Sequence, residues 1–347
     1  MNSTFRASLS SPSLADRFGR AVLATALLAV AFVAVACGDD GDADPDETRS
    51  ATLMLNWTPN AQHAGIYVAL ANGWYEETGI DLEIVEPATA GVDSVVGSGG
   101  AEFGISQAES ILPARAAGVP VVSIAAILPH NDSSFMALAA SGIETPRDFE
   151  GKKYGGYGGA LEMELLDALV ACDGGDPTLV ERVDVGNIDY LPGMEQERFD
   201  FVWVFEGWDT LRAREIEEKD IASVKFVDWL DCIPDWYTPT FIASEDVIAD
   251  DPDLVRAFLE ATTRGYEEAI ADPAAAADAL LDAAPELDEA LVRASTEYHA
   301  PLFIDGEPWG TQSGDVWSEF EAFLRAAGLL EEAVDTAQAF TNDYLPE

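Results

Sequence analysis

The sequence predicts an α/β protein of two lobes. Strand-like and helix-like segments alternate in two successive series, which argues for α/β layers with largely parallel sheets. About 300 residues follow an N-terminal apolar run, enough for two lobes of roughly 100–200 residues each. Composition is that of a globular chain, with 48% hydrophobic and 10% aromatic residues.

The elements run as follows. Residues Ala21–Cys37 form an uncharged Ala/Val/Leu-rich run preceded by Arg6, Arg17 and Arg20. A basic start, an apolar core and small residues before a cut site make an export signal, and the run falls short of the about 20 residues a membrane span needs. Its end, Ala34-Val35-Ala36-Cys37, resembles a bacterial lipobox, although Ala34 stands where such boxes more often carry Leu. That resemblance implies cleavage before Cys37, lipidation of Cys37, and anchoring at the outer face of the cytoplasmic membrane. Residues 1–36 then read as a lipoprotein signal peptide and 37–50 as an acidic tether. The alternatives are an ordinary signal peptide or an uncleaved anchor.

In the first series, Ala51–Trp57, Ile80–Glu86, Phe103–Ser106 and Val119–Leu128 read as strands, with helices over His63–Asn72 and Ala108–Ala117. A second series begins after Thr145-Pro146, with strands at Lys152–Tyr154, Val183–Asn187, Phe199–Phe205 and Val224–Val227 and a helix over Ala160–Ala171. From Ser244 onward the pattern is almost wholly helical, and Asp251-Pro252 starts a helix with Pro at its first turn. Two tandem domains would give this pattern. So would interleaved lobes, with the chain crossing near 140 and returning near 240.

The charge is extreme: 18 Lys+Arg against 64 Asp+Glu give a net −46. Such a surface repels nucleic acid and anionic lipid. It fits a salty medium, where like charges are screened over a few ångströms, and so speaks to habitat rather than ligand. Cysteine usage is sparse, at Cys37, Cys172 and Cys232. With Cys37 lipidated, the other two form an even pair in an oxidising compartment, where a disulfide is permitted; two separately buried thiols are the alternative. His63, His130 and His299 are the three histidines and show no metal-ligand spacing.

One stretch carries most of the chemistry: Asn56-Trp57-Thr58-Pro59-Asn60-Ala61-Gln62-His63-Ala64-Gly65, followed by Gly73-Trp74-Tyr75 and Gly79. It is a strand end, a Pro-Asn turn and a helix start, a place where ligands collect in α/β folds. This run resembles the first lobe of the periplasmic binding proteins for thiamine-pyrimidine precursors and the fungal pyrimidine synthases that share their fold. Phe103-Gly104-Ile105-Ser106, Gly118-Val119-Pro120-Val121, Phe149-Glu150-Gly151-Lys152 and Tyr237-Thr238-Pro239 also look like segments of that family, so the likeness covers roughly 51–330. It implies a type II periplasmic-binding fold with a hinge and an interlobe cleft. The lobes are then interleaved: 51–140 as the first part of lobe one, 141–240 as lobe two, and 241–347 as the second part of lobe one.

The candidate ligand-binding residues follow. Trp57 offers a flat face for a pyrimidine ring, and the Asn56 amide can donate to and accept from an aminopyrimidine edge. His63 matches the histidine that the fungal synthases consume, and here reads as a polar contact or helix-start residue. In the glycine-rich turn before the helix at Ala160, Gly156 and Gly158 supply backbone N–H groups and Tyr157 a second stacking face. Glu162, in that helix's first turn, is a cap or an acceptor for an exocyclic amine. Glu206 and Trp208, just past the Phe201–Phe205 strand, are expected to face the cleft, as is the Tyr237 hydroxyl where the chain crosses back. Ser106 is a candidate by position after its strand.

The resemblance implies an extracytoplasmic solute-binding protein that captures a hydroxymethyl- or formylaminomethyl-pyrimidine and delivers it to the permease and ATPase subunits of an ABC importer. It would act as a monomer, with no cofactor, metal or nucleic acid, and would touch membrane only through its lipid. Riboflavin or a flavin precursor is the alternative ligand. An enzyme like the fungal synthase is the alternative of another class; it would be cytosolic and carry a cysteine-rich iron motif, whereas the body of this chain holds only Cys172 and Cys232.

Overall fold

A computed structural model describes residues 48–87, 89–186 and 188–346. The leader, Cys37 and most of the tether lie outside the described residues. No described helix is long and apolar enough to cross a membrane.

Among the described residues, ten strands form two five-stranded sheets. The first contains β1 (Arg49–Met54), β2 (Ile80–Val85), β3 (Phe103–Ser106), β4 (Val121–Ala126) and β10 (Thr240–Ser244), in the order β2-β1-β3-β10-β4. The second contains β5 (Ser133–Leu138), β6 (Lys153–Gly156), β7 (Glu181–Asp184), β8 (Phe201–Phe205) and β9 (Ile221–Lys225), in the order β7-β6-β8-β5-β9. The chain therefore leaves the first sheet after β4, builds the whole second sheet, and returns as β10 between β3 and β4. The lobes are interleaved.

Three expectations need correction. The sheets are mixed rather than largely parallel: β10 runs antiparallel to β3 and β4, and β5 antiparallel to β8 and β9. These two strands enter their sheets from an interlobe crossing instead of through a βαβ unit, which fixes their direction. Both are absent from the sequence reading. The outward crossing also lies at 127–132, before β5, rather than near 140; residues 133–138 pair with β8 and β9 and belong to lobe two.

Lobe one's first wall is set by α1 (Ala64–Ala71) and the long α8 (Pro252–Ala271) behind it. Asp251 caps α8 through the Leu254 N–H at 2.9 Å, with Pro252 in the first turn. The two helices meet at glycines: a Cβ on Gly265 would sit 2.0 Å from the Gly65 carbonyl oxygen. Phe258 of α8 stacks on Phe103 of β3 at 3.9 Å between centroids, seating the helix on the sheet. In lobe two, the first of the remaining helices is α5 (Ala160–Cys172), which buries Leu165, Leu166, Leu169 and Val170. The return crossing is held by Trp236, which stacks on Phe320 of the helix Gly314–Ala326 at 4.9 Å and meets Trp203 of β8 edge-on at 6.4 Å. Cys172 and Cys232 are bonded, joining the end of α5 to that crossing.

Candidate ligand-binding cleft

A cavity of about 700 Å³ lies between the two sheets. Lobe one supplies Asn56, Trp57, Asn60 and Gln62; lobe two supplies Tyr157, Ile188, Asp189, Tyr190, Phe205, Trp208, Asp209 and Arg212; His299, at the end of the helix Glu289–His299, closes one side.

The lobe-one wall is locally self-organised. Asn60 caps the turn that follows it, its Oδ1 accepting from the Gln62 N–H at 2.9 Å. The fully buried His63 places Nε2 2.9 Å from Asn56 Oδ1. Burial pushes the His63 pKa down to about 3, so the imidazole is neutral and its Nε2–H donates to Asn56. The Asn56 amide N–H groups are thereby left for the cavity. Trp57, at 54% exposure, has an uncovered ring face. His63 thus acts from behind the wall, orienting Asn56.

The lobe-two wall starts at Tyr157, a residue 49% exposed whose hydroxyl bonds the Tyr190 hydroxyl. Beyond β8 the chain enters π-helical turns over Glu206–Thr210 and Arg212–Ile216. This wider winding, common at functional sites, brings Phe205, Trp208, Asp209 and Arg212 to the cavity together. Asp189 pairs with Arg212 at 2.9 Å. Loss of hydration raises the Asp209 pKa, opposed by the nearby Arg212 charge. Among the described lining residues, two carboxylates face one guanidinium within a ring of aromatics.

Of the residues singled out from sequence, Asn56, Trp57, Tyr157 and Trp208 line the cavity. The others do not. Glu162 is buried and its oxygens are taken by the N–H groups of Tyr157 and Gly159, at 2.9 and 2.7 Å, and by the Tyr154 hydroxyl at 2.9 Å. It is a helix cap that holds the glycine turn, including Gly156 and Gly158, rather than an acceptor for ligand. Glu206 turns the other way from Phe205, onto the Ser223 hydroxyl and within 3.4 Å of Arg214. Ser106 donates to Asp93 at 2.7 Å, and the Tyr237 hydroxyl accepts the Ser313 N–H at 2.6 Å. Each of these side chains is consumed by the scaffold.

The sequence reading missed Asn60 and Gln62, although both sit inside the decisive motif. It also missed Ile188, Asp189, Tyr190, Phe205, Asp209, Arg212 and His299. Period-two alternation puts Phe205 with the core residues Phe201 and Trp203, and the π-helical turn that redirects the chain has no sequence signature of its own.

The chain matches the family described as NMT1/THI5 like over residues 60–276, more than half of its length. It belongs to the NMT1/THI5-like family. This NMT1/THI5-like chain is 28% identical over 326 residues to the formylaminopyrimidine-binding protein of Halalkalibacterium halodurans, covering 91% of this chain and 96% of that one. It is 29% identical over 304 residues to a 4-amino-5-hydroxymethyl-2-methylpyrimidine phosphate synthase of Legionella pneumophila, covering 85% and 92%. The riboflavin-binding protein RibY of Chloroflexus aurantiacus is 28% identical over 320 residues, covering 86% of each chain. Among solved structures, the periplasmic aliphatic sulphonate binding protein of Escherichia coli superposes with a TM-score of 0.65 at 13% identity, covering 88% of this chain and 94% of that one. The fold of this NMT1/THI5-like protein is that of the periplasmic binding proteins.

Proposed function

We propose that this protein is the extracytoplasmic solute-binding component of an ABC importer, and that its ligand is an aminopyrimidine precursor of thiamine. The observation that carries the reading is that two exposed aromatic residues, Trp57 from lobe one and Tyr157 from lobe two, line one cavity together with Asn56 and Asp209. A flat heteroaromatic ring stacks between the two, contributing on the order of 1–3 kcal/mol per stacked aromatic. Asn56, fixed by His63, donates to a ring nitrogen, and Asp209 accepts from an exocyclic amine. Two carboxylates against one guanidinium oppose a sulfonate. The likeness to the formylaminopyrimidine-binding protein along nearly the whole of both chains supports the same ligand class.

Riboflavin is the second reading, favoured by the cavity of about 700 Å³, which exceeds what a single pyrimidine ring fills. A synthase role, in which His63 would be consumed, has less support, since His63 is fully buried and engaged with Asn56. On this reading His63, buried behind Asn56, orients the site and reacts with nothing. Anchoring through a lipidated Cys37 and action as a monomer complete the proposal.

Calorimetry with hydroxymethyl- and formylaminomethyl-aminopyrimidine, thiamine and riboflavin tests it. Micromolar or tighter binding of an aminopyrimidine alone is expected. Binding of riboflavin alone would move the ligand while keeping the role, and silence from all four would overturn the reading.

A further inference from the structure

We propose, on the aminopyrimidine reading above, that Gln62 is the specificity-determining residue of the cleft. Both ends of its side-chain amide pair with the ligand, one with a ring nitrogen and the other with the adjacent exocyclic amine.

Three carboxamides line the cavity among the described residues, Asn56, Asn60 and Gln62, and they are unequally used. Asn60 is engaged at both ends: its Oδ1 accepts the Gln62 N–H at 2.9 Å and its Nδ2 donates to the Thr58 carbonyl at 3.1 Å. Asn56 has its oxygen on His63 and keeps only its N–H end. Gln62 keeps both ends. Its main chain is held twice, the N–H by Asn60 and the carbonyl by the Tyr266 hydroxyl at 2.8 Å, yet neither Oε1 nor Nε2 has a partner among the described residues. The residue is only 7% exposed, and its amide atoms are not among the fully covered unpaired ones, in contrast to His63 Nδ1. The remaining open surface of Gln62 lies at the cavity, and the free amide has access to it. A polar side chain so nearly buried normally has partners.

The ring decides what completes it. An aminopyrimidine of this kind offers two ring nitrogens that accept and an amine with two N–H groups that donate. The Asn56 N–H meets one nitrogen and the Asp209 carboxylate one amine hydrogen. That leaves a nitrogen and an N–H on neighbouring positions. The Gln62 amide is the complement, an N–H and a carbonyl on one carbon, and glutamine pairs in the same two-point way with the amino group and nearby ring nitrogen of adenine. Because its amide is unpinned while its backbone is fixed, Gln62 turns to suit that order without moving the wall. A ring lacking the amine leaves this buried amide half-paired, which is how a hydrogen-bonding site rejects an analogue.

Calorimetry compares hydroxymethyl-aminopyrimidine with the same compound without its amine, on the mature chain and on Gln62→Met. The unmodified chain is expected to prefer the amine-bearing ring by tenfold or more, and Gln62→Met to reduce that preference at least fivefold, with Asp209 sustaining the remainder. The ratio cancels any loss that a purely structural change imposes on both ligands alike. Gln62→Glu, which accepts from the amine but repels the ring nitrogen, gives the same readout if Gln62→Met fails to fold. Equal binding of the two compounds, or a preference unchanged in a folded variant, would overturn the role of Gln62 and leave aminopyrimidine binding in place. No binding of either compound by the unmodified chain would overturn both.

Discussion

Apart from His299, lobe one presents its share of the cleft from one short segment, 56–62, whereas lobe two assembles its share from Tyr157, 188–190 and 205–212. The first wall is braced by backbone. Tyr266 of α8 donates its hydroxyl to the Gln62 carbonyl at 2.8 Å, and the Gly65–Gly265 contact leaves no room for adjustment. The second wall is held by side-chain pairs, Tyr157 with Tyr190 and Arg212 with Asp189, the latter pair at 33% and 54% side-chain exposure. An exposed pair of this kind contributes little and re-forms readily. The contrast assigns anchoring to lobe one and adjustment to lobe two, which is how one fold can serve ligands of different outline.

The harshest way to break the contrast is Gly265→Ala, which puts a methyl group 2.0 Å from the Gly65 carbonyl oxygen. Overpacking of this kind typically costs about 1–3 kcal/mol, and the upper end is expected by denaturant unfolding, with ligand affinity falling as the motif shifts. A loss below about 0.5 kcal/mol, the range of ordinary surface changes, would mean that α1 and α8 slide apart easily. Next, Trp57→Ala should weaken aminopyrimidine binding by tenfold or more, equivalent to about 1.4 kcal/mol. Tyr157→Ala should cost less, roughly three- to fivefold, because a wall held by side-chain pairs re-forms around the gap. If calorimetry reverses that order, lobe two is the anchor.

The smallest effect concerns the tie of His130 to Asp235 and Asp305 at the crossing. Hydrogen bonding to Asp235 raises the His130 pKa from 6.5 to about 9 despite partial burial. A folded-state pKa above the unfolded one means the protonated form is favoured by folding. That stabilisation is fully present below pH 6.5 and is lost as pH rises through about 9. For a half-exposed group it amounts to roughly 0.2–1 kcal/mol. Unfolding measured from pH 6 to 10 should show this decline, and His130→Gln should remove it; an equal decline in the variant would assign it to other groups.

The same contrast explains what could be read from sequence. The lobe-one wall is contiguous, so Asn56 and Trp57 emerge from one motif with its strand end, turn and helix start. The lobe-two wall depends on where a π-helical turn aims Trp208, Asp209 and Arg212, which no local spacing encodes. Glu162 shows a different ambiguity, since a carboxylate in a helix's first turn gives the same sequence signal whether it caps the helix or meets a ligand. Most of the βαβ strands were legible from apolar runs. The crossing strands β5 and β10 were not: β5 opens on Ser133-Ser134, and β10 is a short run after Pro239. Each owes its place to a neighbour distant in sequence.

The position of β10 imposes an order of assembly. Lobe two's sheet is drawn entirely from 133–225, so all its strands exist once that stretch has been made. Lobe one's sheet has β10 at its interior, between β3 and β4, and until residue 244 arrives β4 has no partner strand through which to join β1, β2 and β3. The brace on the recognition motif comes later still, at Tyr266. The wall whose sequence appears first is therefore the last to become rigid, and a chain emerging from its N-terminus matures its second lobe before it can hold a ligand.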